Sequence, residues 1–181
     1  MKRMICIVAL LLLLMPAALA GGLLDSALSW DTSVADVEAW LGAGVERVEQ
    51  HMGDYGDAVE LIKDGANVLG FDDSLASAIF YDGRLVEVDC YFDAEAQAVA
   101  DKLAETCGAP VYADHDQPAL LDFLEDRSDL YCSWQPDDAT TIELYQFNDE
   151  NHPYRCVLSI DNSPASAEFQ RALGAFYGMD D

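Results

Sequence analysis

Basic residues are scarce in this chain: 9 Lys and Arg stand against 34 Asp and Glu, for a formal charge of −25 at pH 7. A field of that sign repels phosphate backbones and anionic lipid surfaces, so it argues against nucleic acid as a partner and favours basic proteins or cations. It also keeps a protein soluble in an ionic medium, which requires no partner. Histidine is scarcer still. His51, His115 and His152 are the only three, and none belongs to a His-Glu-x-x-His pair. With no Gly-x-Ser-x-Gly elbow either, each reads as a surface loop residue. Gly42-Ala43-Gly44 places Arg47 where a dinucleotide loop needs its third glycine. No two cysteines form the Cys-x-x-Cys spacing of redox or zinc sites. No cofactor is therefore expected. The 51% apolar content still supports a folded core rather than disorder.

The chain also lacks a long hydrophobic run. The apolar stretch at residues 4–15 would span about 18 Å as a helix against a hydrocarbon core of roughly 30 Å. It follows Lys2 and Arg3 and ends in Pro16 and Ala18-Leu19-Ala20, the three parts of a secretory signal peptide. Residues 1–20 are thus expected to be removed, giving a secreted or extracytoplasmic protein without a stable membrane anchor. Removing 20 of the 181 residues leaves 161, and losing Lys2 and Arg3 takes the net charge from −25 to −27. A chain of 161 residues suits a single exported domain, residues 21–181.

Periodicity predicts helices over residues 31–41, capped by Thr32 or Ser33, over 94–107, and over 164–177 with Ser163 as cap and Pro164 in the first turn. Asp64-Gly65 and Asp82-Gly83 mark two hairpins, the first joining 59–63 to 66–71 and the second 77–81 to 84–92. A two-residue turn at Asp82-Gly83 sets Ile79 opposite Val86, with Val88, Cys90 and Phe92 following on that same core face. Further strands are expected over 130–135, 141–147 and 154–160. Helices and hairpins without βαβ alternation define an α+β fold, here two consecutive helix-plus-antiparallel-sheet units (31–92 and 94–161) and a C-terminal helix.

Ser33-Val34-Ala35-Asp36-Val37-Glu38-Ala39-Trp40-Leu41-Gly42, then Phe80-Tyr81-Asp82-Gly83-Arg84-Leu85, and a shorter echo at Leu103-Ala104-Glu105-Thr106-Cys107-Gly108-Ala109-Pro110 carry a resemblance. In order of elements, most of the chain after residue 20 resembles the tandem helix-plus-antiparallel-sheet repeat of the β-lactamase inhibitor protein family. It is also similar to the single unit of small outer-membrane assembly lipoproteins, without their lipidation cysteine. The resemblance implies a fold but transfers no contact residue and no activity.

Cleavage would remove Cys6 and leave Cys90, Cys107, Cys132 and Cys156 in a compartment where disulfides persist. Helix 94–107 would carry Cys107 roughly 20 Å from its start, too far from Cys90 for the usual Cα separation of about 6 Å. The favoured pairs are Cys107 with Cys132 and Cys90 with Cys156, contributing about 3.5 and about 4 kcal/mol in the chain-entropy model.

No catalytic or metal residues stand out. Asp114-His115-Asp116-Gln117-Pro118 opens like a calcium loop, but proline takes the third ligand position and Ala119 the place of the glycine. Asp72-Asp73, Asp137-Asp138 and Asp149-Glu150 read as solvated acidic loops, and Trp30, Trp40 and Trp134 as core or rim residues. Residues 112–129 present Leu120, Leu121, Phe123 and Leu124 among acids. That segment is either a flap over the core or a partner-binding helix. The leading functional expectation is an acidic, non-catalytic exported domain that binds an unknown protein partner. The alternative is an extracytoplasmic hydrolase using dispersed carboxylates.

Overall fold

Val88, Cys90 and Phe92 alternate with Glu87, Asp89 and Tyr91 along strand β4 (Arg84–Phe92), giving one apolar and one polar face. The computed structural model, which describes residues 29–111, 128–149 and 151–179, builds its sheet around this strand. Six further strands join it: β1 (Glu46–His51), β2 (Asp57–Val68), β3 (Phe71–Tyr81), β5 (Ser128–Trp134), β6 (Thr140–Phe147) and β7 (Cys156–Asn162). All seven form one antiparallel sheet in the order β1-β2-β3-β4-β7-β6-β5. The expected α+β class holds. Residues 1–20 and the Leu120, Leu121, Phe123 and Leu124 cluster lie outside the described residues.

Two helices cover the apolar face. Helix α1 (Val34–Leu41) is capped by Ser33, whose side chain accepts from the Asp36 N–H, and buries Val37. Helix α2 (Ala96–Cys107) turns Ala96, Val99, Ala100 and Leu103 inward at helical spacing. They pack on Val88, Cys90 and Phe92 of β4, Cys156, Leu158 and Ile160 of β7, and Ile142 and Leu144 of β6. Each large apolar side chain buried there contributes about 1.5–3 kcal/mol. Helix α3 (Ser163–Tyr177) instead crosses the opposite face at one end, where Ala165 and Phe169 meet Met52, Ala58, Tyr81 and Val86. Its cap is Asn162 rather than Ser163, which bonds Thr141 Oγ1 at 2.8 Å instead. Among the described residues, no helix is long and apolar enough to cross a membrane.

The hairpins differ from expectation in two ways. The first turn falls at Leu69-Gly70, with φ of 55° and 84°, so both central residues adopt the left-handed geometry of a type I′ turn. Asp64-Gly65 lies inside β2, between the pairs Lys63–Ala76 and Ala66–Ser74, where Gly65 at φ 64° accommodates an extra residue as a bulge. The second turn is at Asp82-Gly83 as expected, but Val86 is bulged and Ile79 pairs with Glu87. Ile79 and Val86 consequently face α3, so that of the residues expected on that face Val88, Cys90 and Phe92 reach the α1/α2 core, where Phe80 and Leu85 join them. Strand β1 escaped the sequence reading because its residues Glu-Arg-Val-Glu-Gln-His form a largely exposed edge strand with no apolar alternation.

Among the described residues, the four cysteines are present as free thiols, so neither expected pair, Cys107 with Cys132 nor Cys90 with Cys156, is bonded in this structure. Cys90 stands opposite Leu158 and Cys156 opposite Phe92. They are diagonal neighbours on adjacent strands, an arrangement with a separation of about 7–8 Å, longer than the usual Cα distance of about 6 Å across a disulfide. Burial pushes the thiols of Cys132 and Cys156 up to about 12, and that of Cys90 higher, whereas Cys107 is only half-buried at the end of α2. Because the thiolate is the reactive form, iodoacetamide should alkylate native protein at Cys107 at least about tenfold faster than at the other three. Peptide mass spectrometry of a time course measures this. Equal rates would contradict the burial pattern, and alkylation that requires prior reduction would establish bonded pairs.

Candidate functional site

Among the described residues, the polar face of the sheet is covered by α3 only at one end, and its residues line up across strands. Registers place Glu46, Ile62, Ser77, Asp89, Ser159, Glu143 and Ser133 in one row through all seven strands. The neighbouring row runs Glu60, Ile79, Glu87, Asp161 and Thr141. Five carboxylates therefore cluster on the central strands: Glu60, Glu87, Asp89, Glu143 and Asp161. They alternate with the core residues Leu61, Val88, Cys90, Ile142, Leu144 and Ile160, so the same pleat that buries the core presents the acids.

Hydroxyl groups satisfy part of this array. Ser77 Oγ donates to Glu60 Oε1 at 2.7 Å, and the Tyr145 hydroxyl to Glu143 Oε2 at 2.6 Å. Burial, followed by the charges of Asp89 and Asp161, pushes the Glu87 carboxyl up to about 8. Burial also raises Asp89, to about 6, with the charges of Asp161 and Glu60 adding to it and hydrogen bonds from Ser159 and Glu87 opposing. Glu87 is thus the protonated partner that donates to Asp89. Asp161 is raised by burial too, against hydrogen bonds from Ser166 and Ser159. The cations in the described ion pairs sit elsewhere: Arg47 with Glu38 and Glu49, Arg84 with Glu168, Lys102 with Glu105, and Arg155 with Asp93 and Glu95. The face is a half-buried anionic surface on which Glu87 and Asp89 retain protons to higher pH than free carboxylates do.

At the end away from α3, Tyr91 of β4 stacks on Phe147 of β6 at 6.4 Å between centroids, and His152 lies over Phe147 at 3.8 Å. Tyr154 completes the group, 5.6 Å from Tyr91.

The residues singled out from sequence are dispersed. His51 pairs with Asp57 at the exposed end of β1, while His152 joins the aromatic group. His115, Asp114 and Asp116 lie outside the described residues. Asp137 is a turn residue that accepts from the Thr140 N–H at 2.8 Å. Trp134 is buried and donates to the Gly108 carbonyl, Trp30 donates to Thr140 Oγ1 at the rim, and Trp40 packs on the core edge. Among the described residues, no three His, Cys, Asp or Glu side chains are placed to hold a metal. The central carboxylates were missed because an acid alternating with core residues, as in Glu87-Val88-Asp89-Cys90, looks like any solvent-facing strand position. No protein-family model matches the chain, and neither a curated protein nor a solved structure matches it.

Glu87 and Asp89 hold protons in the folded state at pH values where they would be ionised in the unfolded chain. Their contribution to stability is complete below the unfolded values, near 4, and declines as pH rises through about 6 for Asp89 and about 8 for Glu87. Glu87→Gln removes that liability. Thermal melts should show it raising Tm by roughly 3 °C at pH 8.5, about 1 kcal/mol in a chain of this size, with little effect at pH 4. An equal shift at both pH values would contradict the proton-retention account.

Proposed function

We propose that this chain is a non-catalytic, exported binding domain whose open sheet face receives a basic segment of a protein partner. The observation that carries the reading is the row through Ser77, Asp89, Ser159 and Glu143, with Glu60, Glu87 and Asp161 beside it. Carboxylates clustered by strand pairing repel one another, and a Lys- or Arg-bearing ligand would relieve that repulsion while gaining charge-assisted hydrogen bonds. The overall charge of −25 would speed the encounter at low salt.

The face fits a two-unit reading of the fold. Strands β4 and β7, the last of their respective units, pair antiparallel at the middle of the sheet, and α1 and α2 lie on one side of it. A pseudo-twofold axis normal to the sheet, passing between Asp89 and Ser159, would relate the two units and make the carboxylate rows cross the seam between them. One observation favours the hydrolase alternative: Glu87 and Asp89 are adjacent acids held at different protonation states, the pattern of a general acid beside a base. Their position on an open sheet face suits binding better than a reaction that must exclude water.

An (Arg-Ser)4 peptide tests the proposal by calorimetry. Binding should be saturable, weaken with added salt, and drop at least about tenfold in the double variant Asp89→Asn, Glu143→Gln, since each charge-assisted bond contributes about 1.5–3 kcal/mol. Unchanged affinity in that variant, or no binding at 20 mM salt, would reject the proposal.

A further inference from the structure

Beside the aromatic end of the face is a cavity of about 720 Å3, within the size range of specific ligand sites. Phe147, His152 and Tyr154 provide ring surface, and Asp93, Glu95 and Asp149 provide carboxylates. Resting on the binding reading above, we infer that this pocket takes the guanidinium or ammonium head of an Arg or Lys side chain from the basic partner segment.

The aromatic walls are fixed in place. Tyr91 and Phe147 are nearly parallel, 5° apart, and His152 is stacked on Phe147 at 26°. His152 Nδ1 lies 2.7 Å from the Tyr154 carbonyl oxygen and 3.2 Å from the Tyr154 amide nitrogen, tying the loop that carries both rings. Ring faces with their negative quadrupole attract a cation, most strongly where water is partly excluded.

Charge selects the same ligand class. Arg155 is the cation among the residues that line the cavity, and it is engaged with Asp93 through Nε at 3.3 Å and with Glu95 through Nη1. Asp149 accepts from the Asn151 N–H and Nδ2, at 2.8 and 3.1 Å, through the single oxygen Oδ1. Both of these bonds use Oδ1 rather than Oδ2. These bonds from Asn151 also hold the Asp149 carboxyl below its ordinary range, so it stays ionised under acidic conditions. An anionic ligand would find one engaged guanidinium opposed by three carboxylates. A neutral ligand would gain less from the acids and the ring quadrupoles than a cation does.

The test titrates the full chain with N-acetyl-arginine amide and follows the aromatic 1H–13C signals of Phe147, His152 and Tyr154. Saturable shifts are expected, with apparent affinity at least fivefold lower for the neutral isostere N-acetyl-citrulline amide. Asp149→Asn and Tyr154→Leu should each weaken the arginine amide at least threefold, while Glu105→Gln, on α2 and outside both the face and the pocket, leaves it unchanged. Equal binding of the citrulline amide, or no saturable shift of the three rings, would overturn the inference. The two readings fail separately. Loss of (Arg-Ser)4 binding in Asp89→Asn, Glu143→Gln supports the face, whereas the ring shifts with arginine amide report on the pocket alone.

Discussion

The pairing of β4 with β7 is the constraint on which the rest of the structure depends. Six residue pairs, from Glu87–Asp161 to Phe92–Cys156, join the strands preceding α2 to those following it. Because pleating sends alternate residues to opposite sides, this one register decides both faces together. On one side it aligns Val88, Cys90 and Phe92 with Ile160, Leu158 and Cys156 beneath α1 and α2. On the other it sets Asp89 against Ser159 and Glu87 against Asp161. A slip of one residue would turn the carboxylates into the core and the apolar set outward, so the hydrophobic pattern alone enforces the acidic arrangement.

That enforcement has a cost. Carboxylates brought together and partly desolvated either recruit positive charge or keep protons. The cations in the described ion pairs are committed elsewhere, so Glu87 keeps its proton up to about pH 8 and Asp89 up to about pH 6, and the hydroxyls of Ser77, Tyr145 and Ser159 supply donors where protons do not. Such an arrangement lowers the stability of the isolated chain near neutral pH. A cationic ligand would offset this by replacing retained protons with a charge that the fold does not provide. The aromatic end extends the same logic: ring quadrupoles and acids both favour a cation, without the mutual repulsion that carboxylates alone would add.

Much of the architecture could be read along the chain, for reasons that remain local. Helices α1 and α2 were recognisable from apolar spacing and their terminal glycines, Gly42 and Gly108, and the Asp82-Gly83 turn from its φ requirement. Asp64-Gly65 misled because a bulge and a type I′ turn ask for the same left-handed backbone. Only the partner strand distinguishes them. Strand β1 left no signal, since an edge strand makes its hydrogen bonds without needing an alternating apolar face. The disulfide expectation rested on compartment and chain geometry, and the diagonal offset of Cys90 and Cys156 became visible only once β4 and β7 were in register.

By itself the sequence determined the acidity, the α+β class, the helices and the residues that must be buried, because composition, capping and periodicity act over a few neighbouring positions. Tertiary structure alone decided that Glu87 and Asp161, 74 positions apart in the numbering, stand opposite each other across two strands, and that Tyr91 reaches Phe147 and Tyr154. Each of these acids and rings, taken singly, is an ordinary strand residue. Strand order and register gather them onto one face, and those are set by how distant apolar faces share a core.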